Sequence, residues 1–228
     1  MLSGVENRKY LAILILIGGK STRFGTEKAV IEFFGKSLIL HQIETLNKFD
    51  EDIFLVAHSE EQMFNYNEQI EFPKKITFIV DDREIFKHQK IFKPMLGIYS
   101  GLKELLKLNF EKAFLLSCDM PLIKPKIIEL MIKESEGYDC CIPRWDNGFL
   151  EPFFAVYPVE KGYYKAQEIL NSENYGLYNF IDKNWHINYV SVEKAIQPLD
   201  KNLVSLININ GPIDLAKLIK IYKQNSVS

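Results

Sequence analysis

Residues 11 to 17 form an uninterrupted aliphatic run, "LAILILI", which ends abruptly at two glycines. The run shows no alternation of apolar and polar residues, which is typical of a central strand of a parallel sheet that is covered on both faces. Similar apolar runs return at 53–57, 76–80 and 113–117. The chain is therefore expected to build its core around a buried parallel sheet.

Stretches with helical spacing of apolar residues separate these strands, at 38–46 and 95–106. Further along, the sequence predicts a helix at 126–134, strands at "YDCCIP" and "EPFFAVYP", and a strand that runs into a helix opening at Pro212. Strands that alternate with helices predict an α/β fold. We expect a single-domain, Rossmann-like, doubly wound and mostly parallel sheet with helices on both faces.

Composition excludes several classes of protein. The 228 residues are 47% hydrophobic, so they can bury a core, and their formal net charge of -2 gives no basic field for nucleic acid or an anionic membrane. No apolar stretch approaches the roughly 20 residues of a membrane-spanning helix. The three cysteines have no disulfide or metal-site spacing, which favours a reducing, cytoplasmic compartment.

The loop "GGKSTRFG", residues 18–25, follows the first strand directly. In an open parallel sheet, ligands bind beyond the carboxyl ends of the strands. Glycines there let backbone N–H groups approach phosphate oxygens, and Lys20, Arg23 and Lys28 bring positive charge to the same place. Neither a P-loop nor a G-x-G-x-x-G motif is present. The loop predicts a phosphate site; the alternative is a plain turn with solvated charges.

A carboxylate lies at the end of another predicted strand. Asp119 follows the run at 113–117 and precedes Pro121. It is expected at the same edge of the sheet as the glycine loop. Magnesium typically uses one or two carboxylates together with substrate phosphates. Asp119 is therefore a candidate Mg²⁺ ligand, and the alternative of a helix-capping aspartate is disfavoured by the prolines that follow.

Four motifs occur in order along the chain: "LIGGKSTRFGTEKA" (16–29), "KPMLGIYSGL" (93–102), "CDMPLI" (118–123) and "NINGPIDL" (208–215). Together they resemble the motifs of the molybdenum cofactor guanylyltransferases. The first resembles the L-A-G-G-x-S-x-R-M-G-x-D-K-A signature of that family, and the second resembles its G-P-L-A-G-I-x-x-G-L. "CDMPLI" (118–123) resembles C-D-x-P-x-L, and "NINGPIDL" (208–215) resembles N-x-N-T-P-E-D-L. The resemblance covers nearly the whole chain.

This resemblance implies a Mg²⁺-dependent enzyme that transfers GMP from GTP to the terminal phosphate of molybdenum-bound molybdopterin and releases pyrophosphate. It implies one nucleotidyltransferase domain over residues 1–228, with a nucleotide- and metal-binding half at 11–120 and an acceptor-binding half at 121–222. Its partners would be GTP and molybdenum-molybdopterin, with transient contacts to proteins of molybdopterin synthesis or to acceptor molybdoenzymes. Neither nucleic acid nor a membrane is an expected partner.

The resemblance also assigns site residues. The catalytic set is Arg23, Lys28 and Asp119. The resemblance implies Lys28 on the phosphates and Asp119 on the metal, and the need for positive charge at the triphosphate adds Arg23. Asp82 matches the aspartate after the third strand, although Asp81 is adjacent, and His58 falls near a family asparagine. The full nucleotide-binding set is Leu16, Ile17, Gly18, Gly19, Lys28, His58, Asp82 and Asp119.

Some departures from the family motifs leave alternatives open. Glu27 replaces an aspartate, and Lys93 replaces a glycine beside the expected base pocket, so base specificity is not fixed. On the acceptor side, Arg144, Asn208 and Asn210 are candidate contacts to the pterin. The alternative is that these residues are solvated or have only a structural role. The alternatives are a cytidylyltransferase acting on molybdopterin, a sugar-1-phosphate or isoprenoid-precursor transferase, or a non-catalytic nucleotide-binding subunit.

Overall fold

A computed structural model describes residues 9–18, 20–21, 26–73, 76–82, 94–172 and 174–225. Its strands are β1 (Lys9–Leu16), β2 (Lys20–Ser21), β3 (Thr26–Glu27), β4 (Glu32–Phe33), β5 (Lys36–Ser37), β6 (Asp52–Ala57), β7 (Thr77–Val80), β8 (Phe110–Ser117), β9 (Cys140–Arg144), β10 (Phe154–Pro158) and β11 (Ile187–Ser191). Its α-helices are α1 (Leu38–Leu46), α2 (Glu60–Gln69), α3 (Pro94–Lys107), α4 (Pro125–Glu134), α5 (Val159–Asn171) and α6 (Pro212–Asn225).

The central sheet has seven strands in the order β11-β9-β10-β8-β1-β6-β7. Strand β1 pairs in parallel with β6 on one side and with β8 on the other. Strand β10 is antiparallel to both of its neighbours. The chain therefore proceeds from β1 to one edge of the sheet and then returns to the other side of β1. This reversal leaves a crevice at the carboxyl ends of β1 and β8, where such sheets bind ligands.

The aliphatic run of β1 supplies both halves of the core. Ile13 and Ile15 pack in one cluster with residues of α1, α2 and α4, whereas Leu14 and Leu16 pack in another with residues of α3 and α5. All four side chains are buried, and burying one aliphatic side chain is worth about 1.5–3 kcal/mol. The prediction of a doubly wound, mostly parallel sheet with helices on both faces is confirmed.

The strand predicted just before Pro212 is wrong. Residues Val204–Leu206 form a 3-10 turn, and residues 207–210 continue without a strand partner among the described residues. Ile209 is fully buried with Phe33 and Leu218, and its N–H donates to the carbonyl of Asp119 at 2.9 Å. The alternating apolar residues therefore reflect docking beside Asp119, not sheet pairing. The helix that opens at Pro212 is confirmed.

Within the described part of the chain, every helix is too short or too polar to span a membrane.

Candidate active site

Two residues singled out from the sequence meet at the carboxyl edge of the sheet. Lys28 begins the 3-10 turn Lys28–Val30 that follows β3, and Asp119 lies two residues beyond β8. The Nζ atom of Lys28 donates to Oδ2 of Asp119 at 2.7 Å. The Asp119 side chain is 8% exposed and that of Lys28 is 24% exposed. The fold thus brings a partly accessible cation and a buried carboxylate into one ion pair.

Asn210 completes this cluster from the C-terminal part of the chain. Its Oδ1 accepts a second hydrogen bond from Lys28 Nζ, at 2.9 Å. The backbone N–H of Asn210 donates to the carboxylate of Asp214 in the first turn of α6, at 3.0 Å. Sequence reasoning placed Asn210 on the acceptor side. In the structure its side chain contacts Lys28, so a residue of the predicted acceptor-binding half touches a residue of the predicted nucleotide-binding half.

The backbone around Asp119 is fixed from helix α1. The amide of Gln42, which is fully buried, donates to the carbonyls of Ser117 at 3.0 Å and Met120 at 3.3 Å. Together with the bond from Ile209 to the carbonyl of Asp119, these contacts hold the turn on both sides of the carboxylate. The orientation of Asp119 is therefore set by buried hydrogen bonds, not by solvent.

One oxygen of Asp119 fits the role of a metal ligand. Its Oδ1 is buried and has no hydrogen-bond partner among the described residues. A buried anionic oxygen without a partner is costly, and a bound cation removes that cost. In the described part of the chain, no three His, Cys, Asp or Glu side chains cluster to enclose a metal ion. A single carboxylate such as that of Asp119 can hold Mg²⁺ when the phosphates of a ligand supply further oxygens.

The ends of β1 and β6 form the other wall of the crevice. Ile17 is fully buried, and its N–H donates to the carbonyl of Val56 at 3.1 Å. A Cβ on Gly18 would lie 3.5 Å from the Cβ of His58, so the two strand ends are in contact there. The Nδ1 atom of His58 is buried without a hydrogen-bond partner among the described residues. The N–H and the carbonyl of Ile17 are thus both used within the fold, since the carbonyl accepts from Gln62 Nε2 at 3.3 Å, whereas Gly18 is exposed to a ligand.

The structure distinguishes the two aspartates after β7. Asp82 pairs with Lys103 of α3 at 2.5 Å, and its N–H donates to Ser100 Oγ at 2.9 Å. Asp81 instead points toward the start of α3, because a Cβ on Gly97 would lie 3.5 Å from its Oδ1 and 3.4 Å from Leu16. The assignment of Asp82 to the nucleotide stays a prediction, with Asp81 as the alternative.

Three residues of the sequence argument lie outside the described residues: Gly19, Arg23 and Lys93. Arg144 lies at the carboxyl end of β9, with its guanidinium 5.0 Å from the ring of Tyr189. These two residues line a pocket of about 380 Å³ whose lining includes neither Lys28 nor Asp119. The assignment of Arg144 and Asn208 to the acceptor stays a prediction.

Sequence reasoning missed two buried glutamines beside the site. Gln62 lies in the pattern Ser59-x-x-Gln62, which is typical of a capping box at a helix start. The Ser59 hydroxyl does accept the N–H of Gln62, at 3.2 Å. That pattern signals the start of the helix, but not the contact of the Gln62 side chain, which accepts the N–H of His58. Gln42 offered no signal, since a lone glutamine in an amphipathic helix is usually solvated.

The family resemblance is confirmed by comparison with known proteins. Residues 13–187 match the family described as the MobA-like NTP transferase domain. A probable molybdenum cofactor guanylyltransferase of Pyrococcus horikoshii is 33% identical over 211 residues, which are 90% of this chain and 97% of the relative. The protein of the same description from Natranaerobius thermophilus is 31% identical over 212 residues, covering 92% and 95%.

Solved structures agree with this result. Molybdopterin-guanine dinucleotide biosynthesis protein A of Archaeoglobus fulgidus superposes with a TM-score of 0.75 at 27% identity, covering 93% of this chain and 99% of that chain. The 4-diphosphocytidyl-2C-methyl-D-erythritol synthase of Anaerococcus prevotii has a TM-score of 0.66 at 15% identity, covering 94% and 96%, and supports the fold alone. The chain belongs to the MobA-like NTP transferase family.

Proposed function

We propose that the protein transfers GMP from GTP to the terminal phosphate of molybdenum-bound molybdopterin, forming the guanine dinucleotide cofactor and pyrophosphate. We further propose that the reaction depends on Mg²⁺, takes place in the cytoplasm and is carried out by a single domain over residues 1–228. The observation that carries the proposal is the cluster of Lys28, Asp119 and Asn210 at the carboxyl edge of the sheet. Relatives described as probable molybdenum cofactor guanylyltransferases support the choice of substrates.

The guanine base is assigned to the wall formed by the ends of β1 and β6. The family resemblance assigns Leu16, Ile17 and Gly18 to the base; Gly18 is the exposed residue of the three, and His58 lies beside it with its Nδ1. An aspartate after β7, Asp82 or Asp81, is proposed to accept hydrogen bonds from the N–H groups that distinguish guanine from the other bases. Gly19, which lies outside the described residues, is assigned to the nucleotide by the family resemblance alone.

The triphosphate is assigned to Lys28, with Arg23 as a second cation. An ammonium group has three N–H donors, so Lys28 can reach a phosphate oxygen while it keeps its bonds to Asp119 and Asn210. Those two acceptors hold the ammonium group in place before the nucleotide arrives. Less side-chain entropy is then lost when the phosphates bind.

The residues also suit the chemical step. A phosphate monoester has a second pKa near 6, so the acceptor is already largely ionised at pH 7 and needs no general base. The difficulty is that one anion must approach another while negative charge gathers on pyrophosphate. Lys28 and Arg23 stabilise that charge. Asp119 would hold Mg²⁺, which when bound supplies further positive charge to the phosphates.

Calorimetric titration with GTP, CTP, ATP and UTP in the presence of Mg²⁺ tests the assignment of the nucleotide. We expect selective binding of GTP by the wild type and much weaker binding by Lys28→Ala. Lys36→Ala is the matched control, because Lys36 forms an exposed ion pair with Glu44. Selective binding of CTP or UTP would contradict the guanylyl assignment.

A further inference from the structure

A single buried amide connects three segments of the candidate site. Gln62 lies in α2 and is 1% exposed. Its Oε1 accepts the backbone N–H of His58 at 2.8 Å, and its Nε2 donates to Glu27 Oε2 at 2.8 Å and to the carbonyl of Ile17 at 3.3 Å. The ends of β1, β3 and β6 are thereby fixed relative to one another by one side chain.

Glu27 connects this network to Lys28, the cation of the candidate site. It precedes Lys28 directly and is half-buried. Burial, and then the neighbouring Glu27 carboxylate, raise the pKa of the Tyr66 hydroxyl far above its ordinary value, so this hydroxyl stays protonated and donates to Glu27. The carboxylate of Glu27 is thus anchored by Gln62 and Tyr66, while the next residue extends toward Asp119.

We propose that Gln62 is a positioning residue for nucleotidyl transfer, which acts by holding Glu27 and therefore Lys28 in register with Asp119. The inference rests on the proposed function. Gln62 is too deeply buried to touch a nucleotide, so it acts through the segments that it holds. Of these segments, the one that begins at Glu27 carries Lys28, the cation assigned to the phosphates. An amide suits this position because it presents a donor to Glu27 and an acceptor to His58 at the same time.

The family signature has an aspartate where this chain has Glu27. The glutamate side chain is longer by one methylene, and its carboxylate meets the amide of Gln62 at 2.8 Å. Glu27 and Gln62 therefore act as a pair in this chain. An exchange of the two side chains tests this pairing, because it keeps one N–H donor facing one carboxylate.

The first test is a double-mutant cycle with Gln62→Met and Lys28→Ala, measured as kcat for GTP-dependent pyrophosphate release per folded protein. Loss of a residue that orients a functional group typically lowers activity about 10–100-fold, and we expect this loss for Gln62→Met in the wild-type background. In the Lys28→Ala background the same change should lower kcat by less than about twofold, because its target is gone. A purely structural role would give the same factor in both backgrounds.

The matched control is Lys112→Met. Lys112 is also buried, and its Nζ donates to the carbonyls of Ser135 and Tyr138 at the opposite end of β8. We expect this variant to melt at a lower temperature with unchanged kcat and KM. A loss of kcat as large as that of Gln62→Met would mean that any buried polar deletion impairs turnover, and would overturn the inference.

The second test is the exchange of the paired side chains. Gln62→Glu alone places a carboxylate against Glu27 and should lower kcat strongly. Adding Glu27→Gln restores an N–H donor between the two side chains, and we expect at least a tenfold recovery. No recovery, or equal factors in both backgrounds of the first test, would overturn the role of Gln62 while leaving the proposed function intact. Absence of GTP turnover in the wild type would overturn both.

Discussion

Replacing Lys28 by methionine separates the structural role of the Lys28–Asp119 pair from its role in turnover. Methionine keeps much of the side-chain volume but removes the charge and the donors to Asp119 and Asn210. The Asp119 carboxylate is then left buried, with its side chain only 8% exposed. We expect both stability and activity to fall, for different physical reasons.

The loss of stability follows from the burial of the two partners. Removing one partner of a fully buried ion pair costs about 3–5 kcal/mol. Because 24% of the Lys28 side chain is exposed, water reaches the vacated position, and we expect about 2 kcal/mol. In a domain of this size, that corresponds to a decrease of about 4–8 °C in the melting temperature. Turnover should fall about a hundredfold, since a charge-assisted contact to the phosphates is lost.

Adding Asp119→Asn to Lys28→Met separates the two effects. The second change removes the stranded negative charge, so most of the lost melting temperature should return while turnover stays low. Lys36→Met is the matched control, because its ion pair with Glu44 is exposed and is worth at most about 1 kcal/mol. Calorimetric melting and pyrophosphate release measure the two quantities. A Lys28→Met variant that melts like the wild type, or a double variant that melts lower than the single one, would show that the Lys28–Asp119 pair does not stabilise the fold in this way.

Three further changes test other parts of the structure. Gln42→Met removes both hydrogen bonds from the amide to the backbone beside Asp119. We expect the free energy of unfolding, measured by urea titration, to fall by about 1–3 kcal/mol and kcat to fall as well. An unchanged kcat of the folded variant would argue against a role of Gln42 in orienting Asp119. Gly18→Ala should melt like the wild type, because the new Cβ meets His58 at an ordinary 3.5 Å, but should bind GTP more weakly in calorimetry. Burial raises the pKa of Cys141 to about 12, so this thiol should stay protonated and unreactive toward Ellman's reagent at pH 8 until the protein is unfolded.

The predictable part of the fold lies in its periodic segments. The run at 11–17 indicates a buried parallel strand because it is short, has aliphatic residues at successive positions and ends at two glycines. Parallel strands also share a carboxyl edge, which is why residues as far apart as Lys28 and Asp119 could be assigned to one site. Both the strand and the shared edge can be predicted from the types of the side chains and their order along the chain.

The remaining features depend on tertiary contacts that leave no periodic signal. The alternation around Ile209 predicted a strand, whereas the segment is held by one backbone bond to Asp119 and by packing against Phe33. Asn210 reaches Lys28 across a separation of 182 residues, which no local pattern encodes. Gln42 carries no local signature at all, because its partners are backbone carbonyls at the end of a distant strand.

Guanylyl transfer is tested by pyrophosphate release from the purified protein with Mg²⁺, molybdenum-molybdopterin and either GTP or CTP. We predict release with GTP that requires both the acceptor and Mg²⁺, little release with CTP, and a loss of about a hundredfold in Lys28→Ala. Equal or faster release with CTP would contradict the choice of GTP, and a rate with GTP that Lys28→Ala leaves unchanged would contradict the role of Lys28.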